Sequence, residues 1–141
     1  MLALEDLKDF SEQQVLKHLA ENYSGDKSGF DYGNISASDI EKANELLKNM
    51  EVLVAYQSVG SWGCDSSAFF LLKDKTNGNI FEVHGSHCSC FGFEGQLQLE
   101  ETTIEALKFR INNAKYLFST GGYDNNDSEN EQKVSDLVLS L

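Results

Sequence analysis

An Asn-Gly pair, Asn77-Gly78, stands between two apolar runs over 67–73 and 80–83. No other dipeptide in the chain constrains the fold so tightly. Both central residues of the tightest hairpin turn need positive φ, which Gly and Asn reach at least cost. The pair therefore predicts an antiparallel hairpin. Read as a two-residue turn, it sets Ser67 opposite Cys88 and Asp65 opposite Cys90, and leaves Cys64 just beyond the same end.

The apolar period on either side of this hairpin fills in the class. Residues 2–21 carry Leu4, Leu7, Val15, Leu16 and Leu19 at three- and four-residue steps and are expected to be helical. A capping box at Ser11-x-x-Gln14 marks a break near Phe10. The stretch 24–34 is rich in Gly and Asp and reads as a loop. Ser38-x-x-Glu41 is a second capping box, followed by Ile40, Ala43, Leu47 and Met50 at helical spacing. The period then shortens to that of strands over 52–59, 67–73 and 80–83, with a short fourth strand over 97–99. Thr102-x-x-Glu105 opens a last helix whose apolar face is Ile104, Leu107, Ile111, Ala114 and Phe118. The expected class is α+β: an antiparallel β meander of three to four strands, with N-terminal helices and one C-terminal helix packed on the sheet.

A chain of 141 residues suits a single domain, placed here at 1–120. The remainder, 121–141, is expected to be an acidic, mobile tail, because 123–133 has no core-forming pattern. Its apolar end, 134–141, either docks back or pairs with another chain. The formal net charge is −12, and Arg110 is the single arginine. Direct nucleic-acid binding through phosphate contacts needs clustered Lys and Arg and is excluded on that ground. Acids are spread over every segment, so the surface either keeps the protein soluble or imitates DNA phosphates before a basic partner. The N-terminus meets Glu5 and Asp6 without a basic region, and no apolar run approaches the ~18 residues of a membrane span. With three cysteines, two of them one residue apart, a disulfide framework is not expected. The expected location is the cytoplasm, with thiols reduced or metal-bound.

Chemistry-bearing side chains concentrate in one region. Cys64, His84, His87, Cys88 and Cys90 fall within 64–90, and the hairpin brings the three thiols to one end. Three thiolates and one imidazole satisfy tetrahedral zinc, so Cys64, His87, Cys88 and Cys90 form a candidate metal site, with His84 as the alternative fourth ligand. His84 shares a face with Cys88 in an extended chain but lies about 13 Å away, which favours His87. Cys-x-Cys departs from the usual zinc-knuckle spacing, so plain buried thiols compete with this reading. A third alternative is a small enzyme in which Cys88 or Cys90 is a nucleophile beside a histidine. Adjacent His87 and Cys88 point apart in extended backbone, which counts against it.

The string Val83-His-Gly-Ser-His-Cys-Ser-Cys-Phe-Gly-Phe-Glu-Gly-Gln96 resembles a segment of small uncharacterised proteins of tailed bacteriophages. The resemblance spans about 56–105 and carries no activity. It implies a phage or prophage accessory role inside an infected cell. The expected function is therefore non-enzymatic binding of a host protein, other macromolecule or small signalling ligand, including inhibition of a host defence system. Trp62, the only tryptophan, lies in the glycine-framed stretch 60–64 beside the cysteines. With Phe91, Phe93 and Glu94 it supplies the expected contacts. The alternatives are a small Cys/His- or zinc-dependent enzyme, and a structural zinc module that forms a homo-oligomer.

Overall fold

A computed structural model describes residues 1–5, 7–23, 37–59, 66–87, 97–114 and 128–141. Its elements are β1 (Leu2–Glu5), α1 (Glu12–Asn22), α2 (Ala37–Leu47), β2 (Met50–Val59), β3 (Ser66–Asp74), β4 (Ile80–His87), β5 (Glu100–Thr102), α3 (Ile104–Ala114) and α4 (Ser128–Leu139). The five strands form one sheet in the order β1-β2-β3-β4-β5. Strands β2 to β5 are the expected antiparallel meander, but β1 runs parallel to β2, so the sheet is mixed and has five strands rather than three to four.

The N-terminal segment is the first correction. Its opening residues are a strand, not helix, because Leu2–Glu5 lies beside Val54, Ala55, Tyr56 and Gln57. That partner is some fifty residues away, so no local period signals it. Leu7 is buried in the turn that follows, and the helix starts at Glu12 behind the expected Ser11 cap. The Ser11 hydroxyl accepts from the Gln14 amide, and the Gln14 side chain accepts from the Ser11 amide in return. The second expected cap is displaced: α2 starts at Ala37, which puts Ser38 inside the helix.

Strand β3 explains its own composition. It is central, with Ala68, Phe70 and Leu72 facing one apolar cluster and Phe69 and Leu71 the other. A strand covered on both faces needs no polar alternation. In β2 the register shifts between Val52 and Val54, so Leu53 is an extra residue. This bulge inverts the alternation: Val52 faces the first cluster and Val54 the second. The Val52 amide donates to the Glu12 carboxylate, which ties α1 to the irregular point.

The hairpin forms at Asn77-Gly78, with Gly78 at φ +79°, but through a longer loop than a two-residue turn. The Gly78 amide donates to the Asp74 carbonyl and the Asp74 amide to the Asn79 carbonyl. Pairing starts at Lys73 with Ile80, so Ser67 faces Ser86 and not Cys88. Strand β4 also runs on through Gly85 and Ser86, where an irregular loop was expected.

Helices cover both faces of the sheet. Val15, Leu19 and Ala20 of α1 and Ala43 and Leu47 of α2 pack on the first face with Val52, Phe70 and Leu72. Leu107 of α3 and Val134 and Val138 of α4 pack on the second with Tyr56, Phe69 and Leu71. The apolar C-terminal end therefore docks, in a helix that reaches back to Ser128 across residues too polar to announce it. Helix α3 is capped by Thr103, whose hydroxyl accepts from the Ala106 amide. Thr102, the expected cap, belongs to β5, which replaces the strand expected over 97–99. Leu97 instead forms a parallel bridge with Tyr23 at the end of α1.

Candidate functional site

Val59 lies opposite Ser66, and Ser66 lies opposite His87. The last residue of β2, the first of β3 and the last of β4 therefore stand side by side at one end of the sheet. The connection bearing Trp62 and Cys64 joins the first two of these residues, and Cys88 directly follows the third. The segments thus start from a common end, through a register two positions away from the one a two-residue turn implies. Trp62, Cys64, Cys88, Cys90, Phe91, Phe93 and Glu94 themselves lie outside the described residues, as does the side chain of His87. The expected facing of Asp65 and Cys90 lies outside them too. Among the described residues no group of His, Cys, Asp and Glu side chains is arranged to hold a metal ion.

The described residues do contain one buried ionic cluster, which no sequence motif announced. Glu82 and His84 are two apart on β4 and so share a face, the one covered by α3. Arg110, six residues into that helix from Ile104, reaches down to them. Glu82 is only 5% exposed. Its Oε1 accepts from His84 Nε2 at 2.8 Å and its Oε2 accepts from Arg110 Nη2. The Thr102 side chain bonds the same carboxylate from β5. The His84 ring rests on Phe69, its register partner, with centroids 5.2 Å apart.

The electrostatics follow from these contacts. Burial alone pushes the Glu82 carboxyl up, but the His84, Arg110 and Thr102 bonds and the Arg110 charge outweigh it and hold the group down at about 2. An ionised carboxylate only accepts, so His84 Nε2 carries a proton. A base this weak, with both oxygens engaged, is a poor proton acceptor at neutral pH. Orienting a histidine through a carboxylate is one part of a nucleophilic triad, but among the described residues no hydroxyl or thiol bonds His84. The cluster works as a clamp joining β4, β5 and α3. His84, the alternative zinc ligand, has its Nε2 committed to this clamp.

His18, at a helical position among polar neighbours, is half-buried. Its Nε2 bonds Gln57 Oε1 at 2.8 Å and its ring lies 6.2 Å from that of Phe70. It is a polar link between α1 and β2. The signal that would have found both groups is largely tertiary: Glu82 and His84 are neighbours on one strand, but Arg110 comes from α3, and His18 of α1 meets Gln57 of β2.

No helix among the described residues is long and apolar enough to cross a membrane. No protein-family model, curated protein or solved structure matches the chain.

Proposed function

We propose that this chain is a phage or prophage accessory protein that works by binding a host macromolecule or a small signalling ligand in the host cytoplasm, and so inhibits a host defence system. The observation that carries the reading is the common sheet end at Val59, Ser66 and His87. Both faces of the sheet are occupied by helices, which leaves its ends and their connections for contact. Trp62, Phe91, Phe93 and Glu94 belong to segments that start at that end, the first three supplying aromatic contact area and Glu94 a negative charge. The resemblance of 83–96 to phage proteins supplies the setting, and the charge of −12 favours a basic partner surface. The satisfied state of Glu82 and His84 supports binding over catalysis, since that pair is spent on joining α3 to the sheet.

The same reading assigns Cys64, His87, Cys88 and Cys90 to a structural zinc ion that orders the contact segments. Metal affinity there adds to folding stability and falls in acid as the thiolates protonate. Elemental analysis of untagged protein purified without chelator should give close to one zinc per chain, and less than about 0.2 removes the zinc site from the reading.

Binding is tested by affinity capture from bacterial lysate at low and high salt, with Trp62→Ala and Phe91→Ala run beside the parent chain. A specific partner should be lost from both variants while their thermal midpoints hold. It should also weaken with salt if the acidic surface contributes. Equal recovery by parent and variants defeats the proposed contact surface.

A further inference from the structure

We infer that Asn77 is a site of spontaneous covalent modification, in which the Gly78 amide attacks its side chain and converts it to aspartate and isoaspartate. The chemistry needs an Asn followed by a residue without a side chain to obstruct ring closure, in backbone outside a continuous helix. Asn77 is the one Asn in the chain that precedes Gly. Asn22, Asn44, Asn112, Asn113 and Asn130 are held in helices, whose backbone keeps the following amide away from the side-chain carbon. Asn79 precedes the β-branched Ile80.

The loop geometry adds two opposing effects. The Asn79 amide donates to Asn77 Oδ1 at 2.9 Å. That oxygen becomes the oxyanion when Cγ is attacked, so a donor already stands where negative charge develops. Against this, the attacking Gly78 nitrogen donates its hydrogen to the Asp74 carbonyl at 2.8 Å, closing a single helical-type turn over 75–77 that must open first. Gly78 is otherwise unobstructed, since a Cβ built there meets nothing within 4 Å, and Asn77 is exposed to water. One net hydrogen bond corresponds to about fivefold in rate, so the folded loop should react no more than about tenfold slower than the unfolded chain.

The step balances without an external oxidant or cofactor. The Gly78 nitrogen loses its proton to solvent and bonds Cγ of Asn77. The Cγ–Nδ2 bond breaks and ammonia leaves, closing a succinimide. Water then opens the ring on either side. Cleavage at Cγ gives aspartate, and cleavage at the backbone carbonyl gives isoaspartate. Each product carries one negative charge more than the parent's −12. The two differ structurally. Aspartate keeps an oxygen to accept from Asn79, whereas isoaspartate adds a methylene to the main chain at the loop that sets the β3–β4 register. The tip lies at the opposite end of the sheet from Val59, Ser66 and His87, so the inference stands apart from the proposed binding surface.

The test is incubation of the intact protein in mildly alkaline buffer at 37 °C, beside the same chain in concentrated urea. Peptide mapping and enzymatic isoaspartate methylation are the readouts. The expected result is a more acidic form whose modification maps to Asn77, at no less than about a tenth of the rate in urea. Asn77→Asp, which keeps the turn acceptor, should yield no ammonia from this peptide. Conversion in urea with a far slower reaction in the folded protein, or acidic forms mapping to other asparagines, would overturn it.

Discussion

The two faces of the sheet are built on different principles. On the α1/α2 face, Val52, Ala55, Phe70, Leu72 and Val83 meet Val15, Leu19, Ala43 and Leu47, and apolar packing dominates, joined at the edge by the Glu12–Val52 and His18–Gln57 bonds. The α3/α4 face has a smaller described cluster around Tyr56, Phe69 and Leu71, and beside it the clamp of Glu82, His84, Thr102 and Arg110. Apolar packing carries no titrating group and does not by itself respond to pH. A buried carboxylate held by a guanidinium does, because the carboxylate has lost water that its charged and hydrogen-bonding partners replace. The first face should therefore respond to changes in volume and the second also to changes in charge.

The largest effect expected from this contrast is the loss of α4. A chain ending at Asp127 gives up Val134 and Val138, both fully buried, and uncovers part of the second cluster. The transfer and cavity contributions together come to about 4 kcal/mol. For a domain of this size that lowers the thermal midpoint by more than about 10 °C. A shift below about 3 °C would mean that α4 adds little to the second face.

Acid should separate the faces next. The Glu82 carboxyl is lowered from 4.5 to about 2, so the folded state binds fewer protons than the unfolded state between those values. Its contribution is complete above pH 4.5 and is lost as pH falls toward 2. By pH 3 the parent should have lost about 2 kcal/mol that Glu82→Gln does not lose. The measurement is urea unfolding of both chains at pH 6 and pH 3. Parallel losses would show that the clamp does not link folding to protonation.

The contrast between the faces also divides what could be read from the chain. Elements specified by near neighbours were legible. The Ser11–Gln14 box, the Asn77-Gly78 hairpin and the change of period near residue 50 all emerged where expected. What depended on distant partners was not. Strand β1 takes its identity from β2, and α4 opens on the polar run 128–133 before Val134 and Val138 anchor it. A loop longer than two residues moved the hairpin register by two positions, which kept every side chain on its expected face while changing its neighbour. Glu82 was one acid among 23 until its position under α3 distinguished it. Of the candidate site, the sheet end from which its segments start is described, and its contact and thiol residues lie outside the described residues.

A smaller effect tests the clamp as a pair. Arg110→Met leaves Glu82 buried without its guanidinium. Arg110 is about two-fifths exposed, and water offsets part of the loss, so the cost should be about 1–2 kcal/mol. Replacing both partners, Glu82→Leu with Arg110→Met, should recover much of it, since no unpaired charge then remains. Additive losses in the double-mutant cycle would mean that the two residues act independently.

The smallest effect returns to the apolar face and serves as the control for the acid experiment. Ser11 and Gln14 satisfy two backbone amides at the start of α1, with separations of 3.2 and 2.8 Å. Both groups are neutral. Ser11→Ala removes the acceptor for the Gln14 amide and should cost about 1 kcal/mol, whereas Ser11→Gly should cost only a few tenths. The site is exposed, so the loss reflects helix initiation and not a cavity. It follows that the Ser11→Ala deficit should be the same at pH 6 and pH 3, while the difference between the parent and Glu82→Gln changes between those values. The next residue is Glu12, whose carboxylate accepts from the Val52 amide. If the Ser11→Ala deficit grows in acid, the N-terminus of α1 is coupled to a titrating group through that contact, and the first face also responds to changes in charge.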